Sequence, residues 1–331
     1  MMNIVQMGLG PIGQQLTRYL AEREGISIVG GIDPDPNKIG NDLGEHAGLQ
    51  KIGVEIAPDL DSVALLDKAD VAVITTLSSL KKVSPQIIEA AGHGLDIVST
   101  CEELSHPWQT QPEVAKRIDE HCRKQAVSCL GTGVNPGFLM DYLPSVLTSV
   151  CQKIDKVKVE RIQDAEPRRK PFRDKIGIGL TEAEFKAKRD SIRHVGVEES
   201  VRMIADAMNW QLSDVEETLE LVKADRDLKN DRIDVDKGQV SGVKQVGRGY
   251  RDGKEVITLV FKAAAGVTHS HDTINISGTP TFTSTIDGGI NGDIATSAIT
   301  VNAICSVREA GAGLKTMLDI QVPAYFDEAS P

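Results

Sequence analysis

The sequence predicts an α/β protein with a doubly wound parallel sheet and, after it, a second α/β domain carrying a mixed or antiparallel sheet. Three observations lead there. Short apolar runs alternate with amphipathic stretches from Ile4 to Leu130, the pattern of repeated strand-helix units. The first junction is the glycine turn Gly8-Leu9-Gly10-Pro11-Ile12-Gly13. Beyond Met140 the pattern changes, and Val240 to Val246, Val256 to Ala264, Thr273 to Ile276 and Thr281 to Ile286 follow one another too closely for crossover helices.

Ile4, Val5 and Met7 read as a buried strand, and Leu16, Tyr19 and Leu20 recur at helical spacing between Gln14 and Glu24. The glycines between them form the dinucleotide fingerprint of a Rossmann domain. Gly8 permits the tight turn, Gly10 lets a pyrophosphate approach, and Gly13 allows close helix-strand packing. Pro11 suits a first helical turn, whose free N–H groups would face a diphosphate. Ile26 to Ile32 is a second strand, ending at Asp33, where a carboxylate would hold the adenosine ribose diol. That favours NAD, with NADP also possible. Lys38 either helps neutralise a 2′-phosphate or is an ordinary solvated lysine.

Further along, Pro34 to Gly48 reads as loop with a short helix, Ile52 to Ile56 as a strand and Asp59 to Leu66 as an amphipathic helix. Val71 to Ile74 is a strand that ends in Thr75-Thr76-Leu77-Ser78-Ser79, small polar residues that fit beside a cofactor, Thr76 and Ser78 above all, or form a plain polar loop. A helix from Ser84 to Ala91, a strand at Ile97 and Val98, a helix from Pro112 to Lys124 and a strand from Val127 to Leu130 complete the first sheet. Ligands of such sheets gather at the carboxyl ends of the strands. Glu102 and Glu103 sit at one of these ends, and the loop Gly131 to Phe138 at another. Val157 to Ile162 starts the second domain, Thr181 to Glu184 looks like a capped helix start, and the segment to Leu221 reads as mostly helical. Asp293 to Arg308 has the Ala/Ile/Val content of a buried helix. The expected domains are 1–140, with 290–331 packing back on it, and 141–289.

Composition narrows the function. With 4% aromatic residues and a formal charge of −11, neither nucleic acid nor an anionic membrane is a natural partner. No apolar run approaches a membrane span, and the start lacks the pattern of a secretory leader. Five scattered cysteines without a C-x-x-C pair suit reduced thiols and a cytoplasmic location, with no zinc site. His269 and His271 share a strand face and with His194 form a possible metal group, but no further ligand spacing supports it.

The strand end Thr100-Cys101-Glu102-Glu103-Leu104, the loop Gly131 to Phe138 and the stretch Gly288-Gly289-Ile290-Asn291-Gly292-Asp293-Ile294-Ala295-Thr296 together resemble the 2,4-diaminopentanoate dehydrogenase family. Lys175-Ile176-Gly177, Gly179-Leu180-Thr181 and His194-Val195-Gly196 extend the resemblance over nearly the whole chain. The resemblance implies NAD(P)-dependent oxidative deamination of a C4 amine, giving 2-amino-4-oxopentanoate and ammonia, in a homodimer. It points to Glu102 as the base, with Glu103 as the alternative. The His-His-x-x-Lys motif of dihydrodipicolinate reductases is absent, which disfavours ring reduction. Asn135 is expected against nicotinamide or substrate, and Phe138 as a pocket wall. Arg168 and Arg169, in a basic run within an acidic protein, fit a clamp for a substrate carboxylate, which arginine binds bidentately. Thr132 and Asn291 are weaker candidates for the α-amino end. Arg173 stands where a neutral polar residue is expected. The competing readings are an amine dehydrogenase acting on simple ketones and amines that lack a carboxylate, and an inactive nucleotide sensor.

Overall fold

The computed structural model describes residues 1–189, 192 and 195–328. In chain order the elements are β1 (Met2–Met7), α1 (Pro11–Ala21), β2 (Ile26–Ile32), α2 (Leu43–His46), β3 (Ile56–Ala57), β4 (Val71–Ile74), α3 (Leu80–Gly92), β5 (Asp96–Ser99), α4 (Pro112–Gln125) and β6 (Ser128–Gly131). They continue with α5 (Tyr142–Leu147), β7 (Lys153–Asp164), α6 (Lys170–Lys175), α7 (Glu182–Ala187), α8 (Val197–Ala207), β8 (Asp214–Lys223), β9 (Leu228–Lys229), β10 (Asp234–Val235), β11 (Val240–Arg251) and β12 (Lys254–Ala264). The last are β13 (His271–Thr279), β14 (Phe282–Asp287), α9 (Gly292–Glu309) and β15 (Gly313–Lys315). The chain divides into a unit of Met1–Phe138 with the stretch from Gly292 onward, and a unit of Leu139–Asn291.

The first unit holds a seven-stranded parallel sheet in the order β15-β6-β5-β4-β1-β2-β3. The chain leaves β1 in one direction through β2 and β3, then returns to build β4, β5 and β6 on the other side. Strand order therefore reverses between β1 and β4, the place where such sheets receive ligands. Val5, Ala72, Ile74 and Ile97 are fully buried strand residues, as expected for a sheet covered on both faces. Helix α9 packs on α1, β5 and β6, and β15 adds a parallel edge that the sequence reading missed.

Two expectations near β3 fail for local reasons. The strand shrinks to Ile56–Ala57 because the buried Asp42 carboxylate takes the N–H groups of Ile52 and Gly53, drawing that backbone off the ladder. The helix expected over Asp59 to Leu66 is a series of turns, begun by Ser62 N–H on Asp59 Oδ1, although Leu60 and Val63 still reach the core.

In the second unit six strands run β14-β13-β7-β12-β11-β8. Only β7 and β12 are parallel neighbours. Helix α8 lies on one face. A Cβ added at Gly247 would sit 2.5 Å from Val197 Cγ1, and one at Gly249 2.9 Å from Val201 Cγ1, so these glycines let the helix approach. The helical reading up to Leu221 is wrong, because β8 occupies Asp214–Lys223. Its Glu and Leu residues suit a helix, but pairing along ten residues of β11 overrides that preference.

Candidate functional site

The glycine turn is built by contact on two sides and open on the third. Gly8 has φ of +90°, and a Cβ there would lie 2.9 Å from Thr76 Cγ2. A Cβ on Gly13 would lie 2.0 Å from the Gly8 carbonyl oxygen, so helix and strand touch through bare backbone. Around Gly10, by contrast, no atom of a described residue beyond its immediate chain neighbours lies within 4 Å of the Cβ position. Gly10 is also the N-cap of α1 and makes no side-chain cap, with Pro11 and half-buried Ile12 opening the helix. Underneath, Gln6 donates to the Gly13 carbonyl and accepts from Thr17 Oγ1 at 2.8 Å.

The Leu9 peptide is held from both ends. Its N–H donates to Asp33 Oδ2 at 2.9 Å, and its carbonyl lies 2.9 Å from His46 Nε2. Asp33 also accepts Lys38 Nζ at 2.7 Å and the Asp35 N–H at 3.1 Å. Burial pushes its carboxyl up, but the Lys38 ammonium and these N–H groups outweigh burial and hold it below the ordinary carboxylate range. Open backbone at Gly10, uncapped helix N–H groups and an ionised Asp33 at the end of β2 fit a dinucleotide. Thr75 Oγ1 donates to the Gly8 carbonyl at 2.8 Å, and Thr76 Oγ1 to Gln86 Oε1 at 2.6 Å. Ser78 offers its carbonyl to Cys101 Sγ at 3.2 Å. His46 was missed, since nothing in the sequence marks which loop residues hold the turn.

The two glutamates after β5 have different surroundings. Glu103 Oε2 accepts Leu80 N–H at 2.8 Å and Gln111 Nε2 at 2.6 Å, so its carboxylate caps α3 and ties that helix to the segment before α4. This cap explains why α3 starts at Leu80 and not at Ser84. Ser84 and Pro85 look like a helix start, but Ser84 Oγ instead takes the Lys81 carbonyl, which Pro85 cannot serve. Glu102 is half-buried and opens the short 3₁₀ turn Glu102–Leu104.

The loop after β6 is compact. A Cβ on Gly131 would lie 2.5 Å from the Leu104 carbonyl carbon, and Gly137, at φ of +122°, would bring one to 2.5 Å from Gly133 N. Thr132 is 2% exposed and donates to Met317 Sδ at 3.1 Å, so its side chain faces the interior and not a substrate. Asn135 Nδ2 is buried, with no hydrogen-bond partner among the described residues, and Phe138 is half-buried. His106 is 1% exposed, although its place in a polar stretch of the sequence suggests a surface or capping residue.

In the second unit a cavity of about 140 Å³ is lined by Arg168, Asn291, Gln163, Asp164, Ser270 and the backbone around Gly288. Arg168 and Asn291 are thus neighbours although far apart in sequence. The Arg168 guanidinium lies 3.9 Å from the Phe172 ring centroid and 3.3 Å from Gln163 Oε1. Arg169 is instead the N-cap of α6. Arg173 Nη1 donates to the carbonyls of Glu166 and Arg168, at 3.2 and 2.8 Å, which gives this unexpected arginine a role in shaping the turn that carries Arg168.

Behind the cavity Arg161, 2% exposed, pairs with Asp272 at 2.9 Å. Burial pushes the Arg161 guanidinium down to about 10, Asp272 opposes this, and Arg168 adds to it, so Arg161 stays charged at neutral pH. Asp272 Oδ2 takes the Ile290 N–H, while Arg161 Nη2 and Gln163 Nε2 both donate to the Ile290 carbonyl. The Gly288 to Asn291 loop is therefore pinned at both ends of one peptide residue. No group of three metal-ligating side chains occurs among the described residues, and His194 lies outside them. His271 Nδ1 instead sits 3.1 Å from the His269 carbonyl.

Residues 138–330 match the 2,4-diaminopentanoate dehydrogenase C-terminal domain, and residues 2–101 match the N-terminus of dihydrodipicolinate reductase. A 2,4-diaminopentanoate dehydrogenase of Acetoanaerobium sticklandii is 31% identical over 97% of this chain and 93% of its own. The chain belongs to the 2,4-diaminopentanoate dehydrogenase family. It is accordingly an oxidoreductase of the dehydrogenase type. Within wider reach, an amine dehydrogenase of Streptomyces virginiae is 25% identical over 66% of this chain and 62% of its own. The amine dehydrogenase of Mycobacterium smegmatis shares the fold at a TM-score of 0.88, with 22% identity over 99% of this chain and 98% of that one. As a family member the chain has a nucleotide unit built like that of dihydrodipicolinate reductase and a second unit of the family's own kind.

Proposed function

We propose that this family member oxidatively deaminates 2,4-diaminopentanoate at C4, giving 2-amino-4-oxopentanoate, ammonia and a reduced nicotinamide, and runs in reverse as reductive amination. The observation that carries the reading is Arg168, which lines a cavity together with Asn291, because an alkylamine would offer a guanidinium there nothing to bind. Glu102 is the general base. It takes a proton from the C4 ammonium and passes it to solvent, stabilises the substrate iminium as the recovered carboxylate, and takes a proton from the water that adds to it, which it then gives to the departing amine. A bound oxidised nicotinamide supplies the hydride acceptor. Residues Gly8 to Gly13 and Asp33 hold its dinucleotide, and Asn135 Nδ2, without a partner among the described residues, offers a hydrogen bond to nicotinamide or substrate. Asp33, kept ionised beside Lys38, favours a free ribose diol and hence NAD, since a 2′-phosphate would meet a carboxylate. Five free thiols suit the reducing cytoplasm.

Substituting Arg168→Gln tests the reading. The expected result is a rise of about tenfold or more in KM for 2,4-diaminopentanoate, from loss of a charge-assisted pair. An unchanged kcat/KM would contradict it.

A further inference from the structure

Leu9, the second residue of the glycine turn, is gripped by groups that reach it from elsewhere in the first unit. Its side chain is fully buried and packs with Leu43 of α2 and Ile56 of β3 in a small core of their own. Its N–H donates to Asp33 at 2.9 Å, and its carbonyl lies 2.9 Å from His46 Nε2. A carbonyl only accepts, so the His46 ring carries a proton on Nε2 in this contact. His46 is the last residue of the four-residue helix α2, which is itself fixed at both ends. Asp42 accepts the N–H groups of Gly44 and Glu45 at its start, and Arg18 of α1 donates to the Ala47 carbonyl at 2.7 Å at its finish. The Gln14 side-chain amide of α1 lies 3.3 Å from the same ring nitrogen. A helix this short has little stability of its own, and its contacts converge on Leu9.

The direction of the Leu9 carbonyl decides what its neighbour can do. The Leu9–Gly10 peptide is trans, so its carbonyl and its N–H point opposite ways. A carbonyl turned to His46 therefore turns the Gly10 N–H away from α2. Gly8 donates its N–H to the Ile32 carbonyl at 2.9 Å, Leu9 gives its own to Asp33, and Pro11 has none. Gly10 is thus the first N–H of the turn left for an anion, and no partner among the described residues takes it. On the carbonyl side, His46 is the one donor among the described residues that holds the peptide plane, and Gly10 has no side chain to resist rotation. A reversed plane would present a carbonyl oxygen to a diphosphate in place of a donor. We propose that His46 is a positioning residue of the dinucleotide site, which sets the Leu9–Gly10 peptide so that the Gly10 N–H is offered to the diphosphate. This rests on the reading of the glycine turn as the diphosphate site, and it adds to that site a residue outside the fingerprint. The donor is in place before the ligand arrives, which spares the cost of ordering it on binding.

The test is equilibrium binding of NADH, ADP and adenosine to the full-length protein, with Tm read alongside. NADH is followed by its fluorescence, and ADP and adenosine, which lacks the diphosphate, by their displacement of it. His46→Phe keeps a ring and removes the donor. It should weaken NADH and ADP about tenfold, as for one lost hydrogen bond to a charged group, and leave adenosine within about twofold. Tm should move by no more than about 2 °C, because one half-buried hydrogen bond is lost. His46→Gln, whose amide N–H can reach the same carbonyl, should recover most of the affinity for ADP. If His46→Phe does not fold, His46→Ala takes its place with the same expectations. An unchanged ADP affinity, equal losses for ADP and adenosine, or a His46→Gln protein as weak as His46→Phe would overturn the proposal and leave the nucleotide reading intact. Failure of the unmodified protein to bind either NADH or ADP would overturn that reading and the proposal with it.

Discussion

Glu102 and Glu103 are adjacent and chemically alike, yet their surroundings divide them. Glu103 accepts two hydrogen bonds that hold α3 and the segment before α4, and removing it strands the Leu80 N–H. Glu103→Ala should therefore lower stability by about 1 kcal/mol, read as a fall of a few degrees in Tm, with turnover largely kept. Glu102→Gln should fold normally and lose about 10²-fold or more in kcat. A reversal of the two outcomes would move the base to Glu103. The Asp33 carboxyl shows the same principle as a pH effect. Its folded value lies below the ordinary one, so its contribution to stability is present above the usual carboxylate range and is lost as pH falls through the lowered value. Residue types and strand ends pointed to these side chains. What each carboxylate touches depends on contacts such as Glu103 to Leu80, across 23 positions, which local pattern does not encode.

The glycine turn between β1 and α1 separates structural from functional need at the scale of an element. Gly13 is required by the fold, because a Cβ would collide with the Gly8 carbonyl. Gly10 has an ordinary φ of −74° and an empty surround, so the protein alone does not need a glycine there. Gly10→Ala should leave Tm within about 1 °C, as expected of a substitution that disturbs no contact, and weaken nucleotide binding about tenfold by obstructing the diphosphate. Gly13→Ala should lower both Tm and nucleotide affinity. If Gly10→Ala binds nucleotide as well as the unmodified protein, the diphosphate does not lie on this turn. The turn was legible because its glycines fall between a short apolar run and a helix of period 3.6. β8 was not, because the run Asp214 to Lys223 has helix-forming residues and becomes a strand only through its long-range partner β11. The edge strand β15 is three residues long and carries too little pattern to detect.

For the whole molecule, the alternation of strands and helices predicted the parallel sheet, and the packed succession of strands after Val240 predicted the mixed one. The family resemblance leads us to expect a homodimer, so light scattering should give a mass of twice 35.7 kDa, and a monomer mass at assay concentration would contradict that expectation. The dehydrogenase assignment rests on the whole chain, while the proposed substrate rests on Arg168, which lines a cavity together with Asn291. The most direct measurement is the simultaneous assay of reduced nicotinamide and ammonia during turnover of 2,4-diaminopentanoate. One ammonia released per nicotinamide reduced, with 2-amino-4-oxopentanoate as the product, is the expected result. Reduction of nicotinamide with plain alkylamines but none with 2,4-diaminopentanoate would contradict it.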